Sequence, residues 1–199
     1  MTIEDVQVVI TRETTPVTQA GFGLPLIVGA KGTTTYDTLG YCICNTLADV
    51  AALVPAKEGD PGTAGTEVYK IAQKIFAQSP APEKIAVVWL NMTSPETLVA
   101  GLTALMAAGH NDWYFLLSES QKRADVDALA AFAAANGKLY FGSMTNTALA
   151  TLDGTTLALD RAVILCHKNA ATQYPAEAWV GRCAPELPGS ITWKFKTLS

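Results

Sequence analysis

Four cysteines and two histidines are the residues of this 199-residue chain best suited to hold a metal or to exchange a proton. Cys42-x-Cys44 puts two thiols on one face of an extended segment, and Cys166 with His167 would complete four ligands for zinc. The spacing is C-x-C rather than the C-x-x-C of zinc knuckles, so the simpler reading is buried, reduced thiols. His110 follows Gly109 at a predicted helix end, where it helps cap the last carbonyls. His167 closes a predicted strand. Asn91, Ser118, Met144 and His167 all fall near the C-terminal ends of predicted strands, where open parallel sheets bind ligands. No carboxylate pair and no nucleophile–base spacing accompanies them. Asp125 and Asp127 lie near a helix start, where their charge suits the helix dipole better than a metal.

Phosphate-binding patterns fare no better. GFGLPL (21–26) has two glycines in G-x-G spacing, but it precedes a strand. A dinucleotide site needs the helix N-terminus directly after the glycines, facing the pyrophosphate. Neither G-x-x-x-x-G-K-[ST] nor G-x-S-x-G occurs. Trp113-Tyr114-Phe115 reads as core.

The elements that must position these residues alternate. LPLIVGA (24–30), KIAVVWL (84–90), DWYFLLS (112–118), KLYFGSM (138–144) and DRAVILC (160–166) are short apolar runs, each predicting a buried strand. Between them, 46–55 predicts a helix with Thr46 as N-cap and Pro55 as stop, and 31–40 a loop. The stretch 57–65 is the most loop-like. Residues 66–80 predict an amphipathic helix capped by Thr66, with Val68, Ile71, Ile75 and Phe76 on one face. Residues 94–109 predict a helix from Ser94 (N-cap) and Pro95 to Gly109. Another ends at Asn136-Gly137, and a short one spans 175–185. The whole reads as an α/β fold with a mainly parallel sheet flanked by helices.

The two ends differ. Val6, Val8 and Ile10 form one face of an alternating strand at 5–11, followed by a Thr-rich connector with Pro16 and two glycines. PGSITWKFKTLS (188–199) alternates as well, with Ile191, Trp193 and Phe195 as the apolar face. The organisation is a linking arm at 1–20, an α/β domain at 21–187, and a terminal strand at 188–199.

Hydrophobic residues make up 49% and charged residues 16%, enough for a core and too little charge for a disordered chain. The net charge of −4 and pI near 5.1 repel nucleic acid, and no basic cluster overrides them. No apolar run is long enough to span a membrane, and the acidic N-terminus lacks signal-peptide features. Cysteine usage then predicts reduced thiols in a cytosolic compartment.

Read together, 6–29, 67–90, 111–145 and above all AEAWVGRCAPELPGSITWKFKTLS (176–199) resemble the contractile-tail sheath proteins of bacteriophages. The resemblance covers nearly the whole chain, and the ungapped PGSITWKFK is its most specific part. It implies a virion structural protein without enzymatic activity or cofactor, assembled in the bacterial host cytoplasm. The implied partners are copies of itself in rings or a helix, the tail tube protein, and baseplate and tail terminator proteins. It also implies linkage by terminal strands added to a neighbour's sheet. Val6, Val8 and Ile10 on their tether fit a donated strand; an edge strand folded back on its own domain fits equally. Sheath proteins continue past TWKFKT, so the resemblance implies a further C-terminal region. Two rivals stand beside it: an enzyme or nucleotide binder with a site at the strand C-termini, and another phage-tail or injection-system assembly protein.

Overall fold

The computed structural model describes residues 23–31, 40–53, 67–91, 97–145, 160–186, 190, 192–194 and 197–198. The predicted arm with Val6, Val8 and Ile10 lies outside these residues, as do Thr66, Ser94, Pro95, Ile191 and Phe195.

Six strands form one sheet: β1 (Leu24–Lys31), β2 (Gly40–Cys44), β3 (Ile85–Asn91), β4 (Trp113–Ser118), β5 (Leu139–Met144) and β6 (Ala162–Cys166). Their order across the sheet is β2-β3-β1-β4-β5-β6. Every pairing is parallel except β2 on β3, which is antiparallel. The described helices are α1 (Leu47–Leu53), α2 (Glu67–Phe76), α3 (Leu98–Ala107), α4 (Arg123–Ala135), α5 (Ala170–Gln173) and α6 (Pro175–Cys183).

Alternation along each strand sends neighbours to opposite faces, and both faces are covered. Leu26, Val28, Val88, Leu90 and Leu116 pack beneath Leu102 and Leu105 of α3 and Val126 and Leu129 of α4. Ile27, Val87, Phe115, Leu117 and Phe141 pack beneath Val68, Ile71 and Ile75 of α2 and Val180 of α6. Fully burying one such side chain is worth about 1.5–3 kcal/mol, which is why the inner strands read as unbroken apolar runs.

Local signals explain most boundaries. Thr46 caps α1 by accepting from Asp49 N (3.2 Å), and the Asp49 carboxylate accepts from Thr46 N (2.8 Å) in return. Gly109 (φ +93°) and Gly137 (φ +67°) follow α3 and α4 in the left-handed conformation that ends helices. Pro25 lies in a central strand, yet it offends no ladder bond. The β1–β4 register shifts between Leu24 and Pro25, leaving Tyr114 as the extra residue.

Three expectations need correction. The loop predicted at 31–40 runs into strand β2, which sequence analysis did not identify as a strand. Tyr41 and Ile43 favour a strand, but the run is only five residues long and opens on Gly40, and pairing with β3 completes it. The cap of α3 is Thr97, which accepts from Ala100 N (3.2 Å), not Ser94. The terminal strand predicted at 188–199 is no strand at Thr192, Trp193 and Lys194. Trp193 is held instead by an aromatic cluster.

Helix α6 crosses α2 at close range because Gly181 has no side chain. A β-carbon there would lie 2.7 Å from both the Cα and the carbonyl oxygen of Ile75. These are backbone atoms that cannot step aside. Gly181→Val is therefore expected to cost at least about 2 kcal/mol, read from the urea midpoint. An unchanged midpoint would show that the helices are not in contact there.

Candidate functional site

From β1 the chain winds one way to β3 and the other way to β4, β5 and β6. The parallel strands thus have the doubly wound order 2-1-3-4-5, whose switch point lies between the C-terminal ends of β1 and β4. Ser118 ends β4 there and is 4% exposed. Its hydroxyl accepts from Ser120 N (3.1 Å), and the Ser120 hydroxyl donates to Asp125 Oδ2 (2.5 Å). Glu119 N closes the turn on Val28 O (3.2 Å). These bonds pin the β4–α4 connection and place Asp125 at the positive end of α4. Asp127 is elsewhere, in a two-pronged ion pair with Arg123 (2.7 and 2.8 Å) on the helix surface. Such a pair stabilises by a few tenths of a kcal/mol, roughly.

The other strand-end residues divide into two places. Met144 is buried in the core, and its carbonyl accepts from His167 N (2.9 Å). His167 Nδ1 accepts from Asn169 N (3.1 Å), and its carbonyl accepts from Ala170 N (3.0 Å). The imidazole thereby shapes the turn into α5. Asn91 ends β3, on the far side of β1 from Ser118. The structure therefore brings Met144 and His167 together, but leaves Asn91 on β3, with β1 and β4 between it and Met144 on β5.

The conceivable zinc set is broken up entirely. Cys42 and Cys44 are on β2, whereas Cys166 is on β6, at the opposite edge of the sheet. Five strand spacings make that roughly 24 Å. Cys44 is a buried thiol, pushed up to about 11 by burial first and by Cys42 second. His110 does not cap α3 with its ring. Its backbone N–H donates to Leu105 O (3.2 Å), and its ring stacks on Tyr41 of β2 at 4.2 Å. Tyr41 also donates its hydroxyl to Asp112 Oδ1 (3.0 Å), so the edge strand is fastened to the α3–β4 turn. Burial first, then Asp112, hold that phenol well above its ordinary value.

Two groupings went unseen in the sequence. The first is aromatic. Trp193 stacks on Phe141 (centroids 5.5 Å apart, 22° between planes), with Phe115 and Trp179 at 5.9 and 5.7 Å. The Trp179 indole N–H donates to the Trp193 carbonyl (2.9 Å). Ring pairs of this kind are worth about 0.5–1.5 kcal/mol each beyond their buried area.

The second is a buried acid. Glu177, in the first turn of α6, is 1% exposed, and Ser143 of β5 is 3% exposed. The Ser143 hydroxyl donates to Glu177 Oε2 (2.5 Å) and accepts from Ala176 N (3.1 Å). Burial pushes the Glu177 carboxyl up to about 7, against the opposing effects of the Ser143 hydrogen bond and its own backbone N–H. A glutamate in a helix's first turn ordinarily signals an exposed acid beside the dipole. The one hint otherwise was its setting between Ala176 and Ala178, both buried. The hydroxyls of Tyr140 and Tyr174 are also buried, with no hydrogen-bond partner among the described residues.

The chain matches no protein-family model, and no curated protein matches it.

The Glu177 carboxyl makes stability depend on pH. Its folded pKa, about 7, lies above its ordinary 4.5. The folded state thus binds the extra proton between these values. The associated stability is complete below about pH 4.5 and is lost as pH rises through about 7. Glu177→Gln is expected to remove that decline, worth on the order of 2–3 kcal/mol between acid and alkaline limits. Urea unfolding of both proteins across this range measures it. Parallel stability curves would rule out the assignment.

Proposed function

We propose that the chain is a structural subunit of a contractile bacteriophage tail sheath, working by self-association and concerted repacking. Enzymatic activity and cofactors have no part in this reading. The observation that carries it is the PGSITWKFK stretch, the most distinctive part of the resemblance, whose Trp193 is seated against Phe141 and Trp179. The other resembling stretches also fall on elements that build the domain. Residues 24–29 lie in β1, 67–90 cover α2 and most of β3, and 111–145 cover β4, α4 and β5.

The mechanism follows from the difference between body and arm. A sheet covered on both faces is close-packed and moves as a block. Length change in an assembly of such blocks must be taken up between them. An arm carrying Val6, Val8 and Ile10, added as a strand to a neighbour's sheet, supplies directional backbone hydrogen bonds. The tether behind it, with Pro16, Gly21 and Gly23, lets bodies slide while that link survives. The assembly encloses the tail tube protein, ends on baseplate and terminator proteins, and resides in the virion after assembly in the host cytoplasm.

A second reading is favoured by one observation. The switch point between β1 and β4 is where doubly wound sheets bind nucleotides and substrates, and Ser118 and Ser120 sit there. On that reading the protein is an α/β enzyme or nucleotide binder.

Electron microscopy of the full chain at high concentration separates the two. Tubes with a central bore are expected; a protein monomeric at every concentration and salt counts against the sheath. The double variant Val6→Asp, Val8→Asp is expected to abolish polymers while circular dichroism stays unchanged. Persistent tubes in that variant would dismiss strand donation.

A further inference from the structure

Besides the burial of Ala176 and Val180 in the core, three specific contacts join helix α6 to the rest of the protein. Gly181 lies against the backbone of α2 at Ile75. Trp179 meets Phe141 edge-on (5.9 Å) and holds the Trp193 carbonyl. Between them, Ser143 of β5 bonds to both Glu177 and Ala176 N. Of these contacts, the one through Ser143 contains an ionisable side chain.

Burial favours the acid form of Glu177 over its anion and outweighs the hydrogen bonds donated to the carboxyl by Ser143 and the backbone. The helix packs on α2, β5 and β6. From β5, Ser143 supplies one hydroxyl, and the buried Tyr140 phenol feels the Glu177 charge unfavourably. On α2, Lys70 is paired with Glu67 (2.8 Å); on α6 itself, Arg182 is paired with Glu186 (3.3 Å). Neither they nor Lys74 of α2 is among the influences that lower the Glu177 pKa. Cys166 of β6 has a thiol made harder to ionise by its own burial. Among the described residues no basic side chain forms an ion pair with Glu177, and an ionised carboxyl so placed, at 1% exposure, costs several kcal/mol unless it reaches water.

We propose that Glu177 is a proton-operated latch: when its proton leaves for bulk water, helix α6 lifts from the sheet and Trp193 leaves its aromatic seat while the rest of the domain stays folded. The opening is local because the two faces of the sheet are separate cores. The face packed by α3 and α4 includes no residue of α6, so it keeps the sheet intact when α6 departs. The opened face displays Phe115 of β4 and Phe141 of β5, while Trp179 departs with the helix. This inference stands apart from the sheath reading and needs no partner.

Hydrogen exchange by mass spectrometry on the full chain tests it, after correction for intrinsic exchange rates. Between about pH 4.5 and about pH 7, protection of the 175–183 peptide is expected to fall about tenfold per pH unit and to level off above the Glu177 midpoint, the dependence of a one-proton linkage. Protection of the 123–135 peptide in α4 is expected to hold. In Glu177→Gln the 175–183 peptide is expected to keep its protection throughout. The carboxyl ¹³C shift of Glu177 in the unmodified protein is expected to have its midpoint where the loss of α6 protection levels off, which decides the matter should the Gln variant not fold. The latch is overturned by α6 protection that ignores pH, by α6 and α4 losing protection together, or by a carboxyl midpoint away from the pH at which the loss of protection levels off.

Discussion

Leu26, Ile27 and Val28 are consecutive on β1 and all fully buried, although their side chains leave the sheet in opposite directions. The rest of the fold answers the constraint they impose. A strand with no wet face must have neighbours on both edges and helices on both sides. Parallel neighbours need long crossovers, and those crossovers supply the helices. The central β3-β1-β4 triplet meets the requirement from both directions. Helices α3 and α4 cover one face; α1, α2 and α6 cover the other. Gly29 shows how tightly this is done, since a β-carbon there would lie 2.6 Å from both Trp89 and Val68.

Away from the centre, burial alone no longer specifies the structure, and individual polar and aromatic contacts take over. Edge strand β2 is secured by the Tyr41–His110 stack and the Tyr41–Asp112 hydrogen bond. Lys138, only 8% exposed, places its ammonium on the Trp113 and Asn111 carbonyls (2.6 and 3.0 Å) and over the Trp113 indole (4.4 Å). It ties the start of β5 to the start of β4. On the far side, Ser143, Glu177 and the Trp179–Trp193 pair hold α6 and the segment around Trp193. A closely packed centre with peripheral elements held by a few specific contacts suits a protein whose body stays rigid while its margins engage others. It equally explains why the titratable Glu177 sits beneath a peripheral helix rather than at the middle of the sheet.

The legible parts of the sequence were those where one residue's local chemistry decides the outcome. Gly109 and Gly137 end helices because their φ is positive, and Thr46 caps because its hydroxyl is at the right offset. The inner strands were legible because burial on both faces leaves an unbroken apolar run. Strand β2 was not, because two strand-favouring residues, Tyr41 and Ile43, among five are too short a signal until β3 is beside them. The 188–199 alternation misled for a related reason. A period of two shows which residues share a face, but Trp193 is placed by ring contacts with Phe141 and Trp179 instead of by a ladder. Among possible site residues, Ser118 and His167 were placed correctly at strand ends, yet their hydrogen bonds belong to turns.

By itself the sequence determined the α/β class, the inner strands and most helix limits, because periodicity and capping are short-range properties. It also contained the apolar tail residue Trp193 and the C-x-C pair. Tertiary structure alone decided what these could meet. It put Cys42 and Cys166 on opposite edges of the sheet and drew Trp193 onto Phe141. It also buried Glu177 against Ser143, 34 positions away along the chain. Residues so distant in sequence become neighbours only through strand order and helix packing, and the ionisation of a carboxyl depends on the water and charge that those neighbours leave around it.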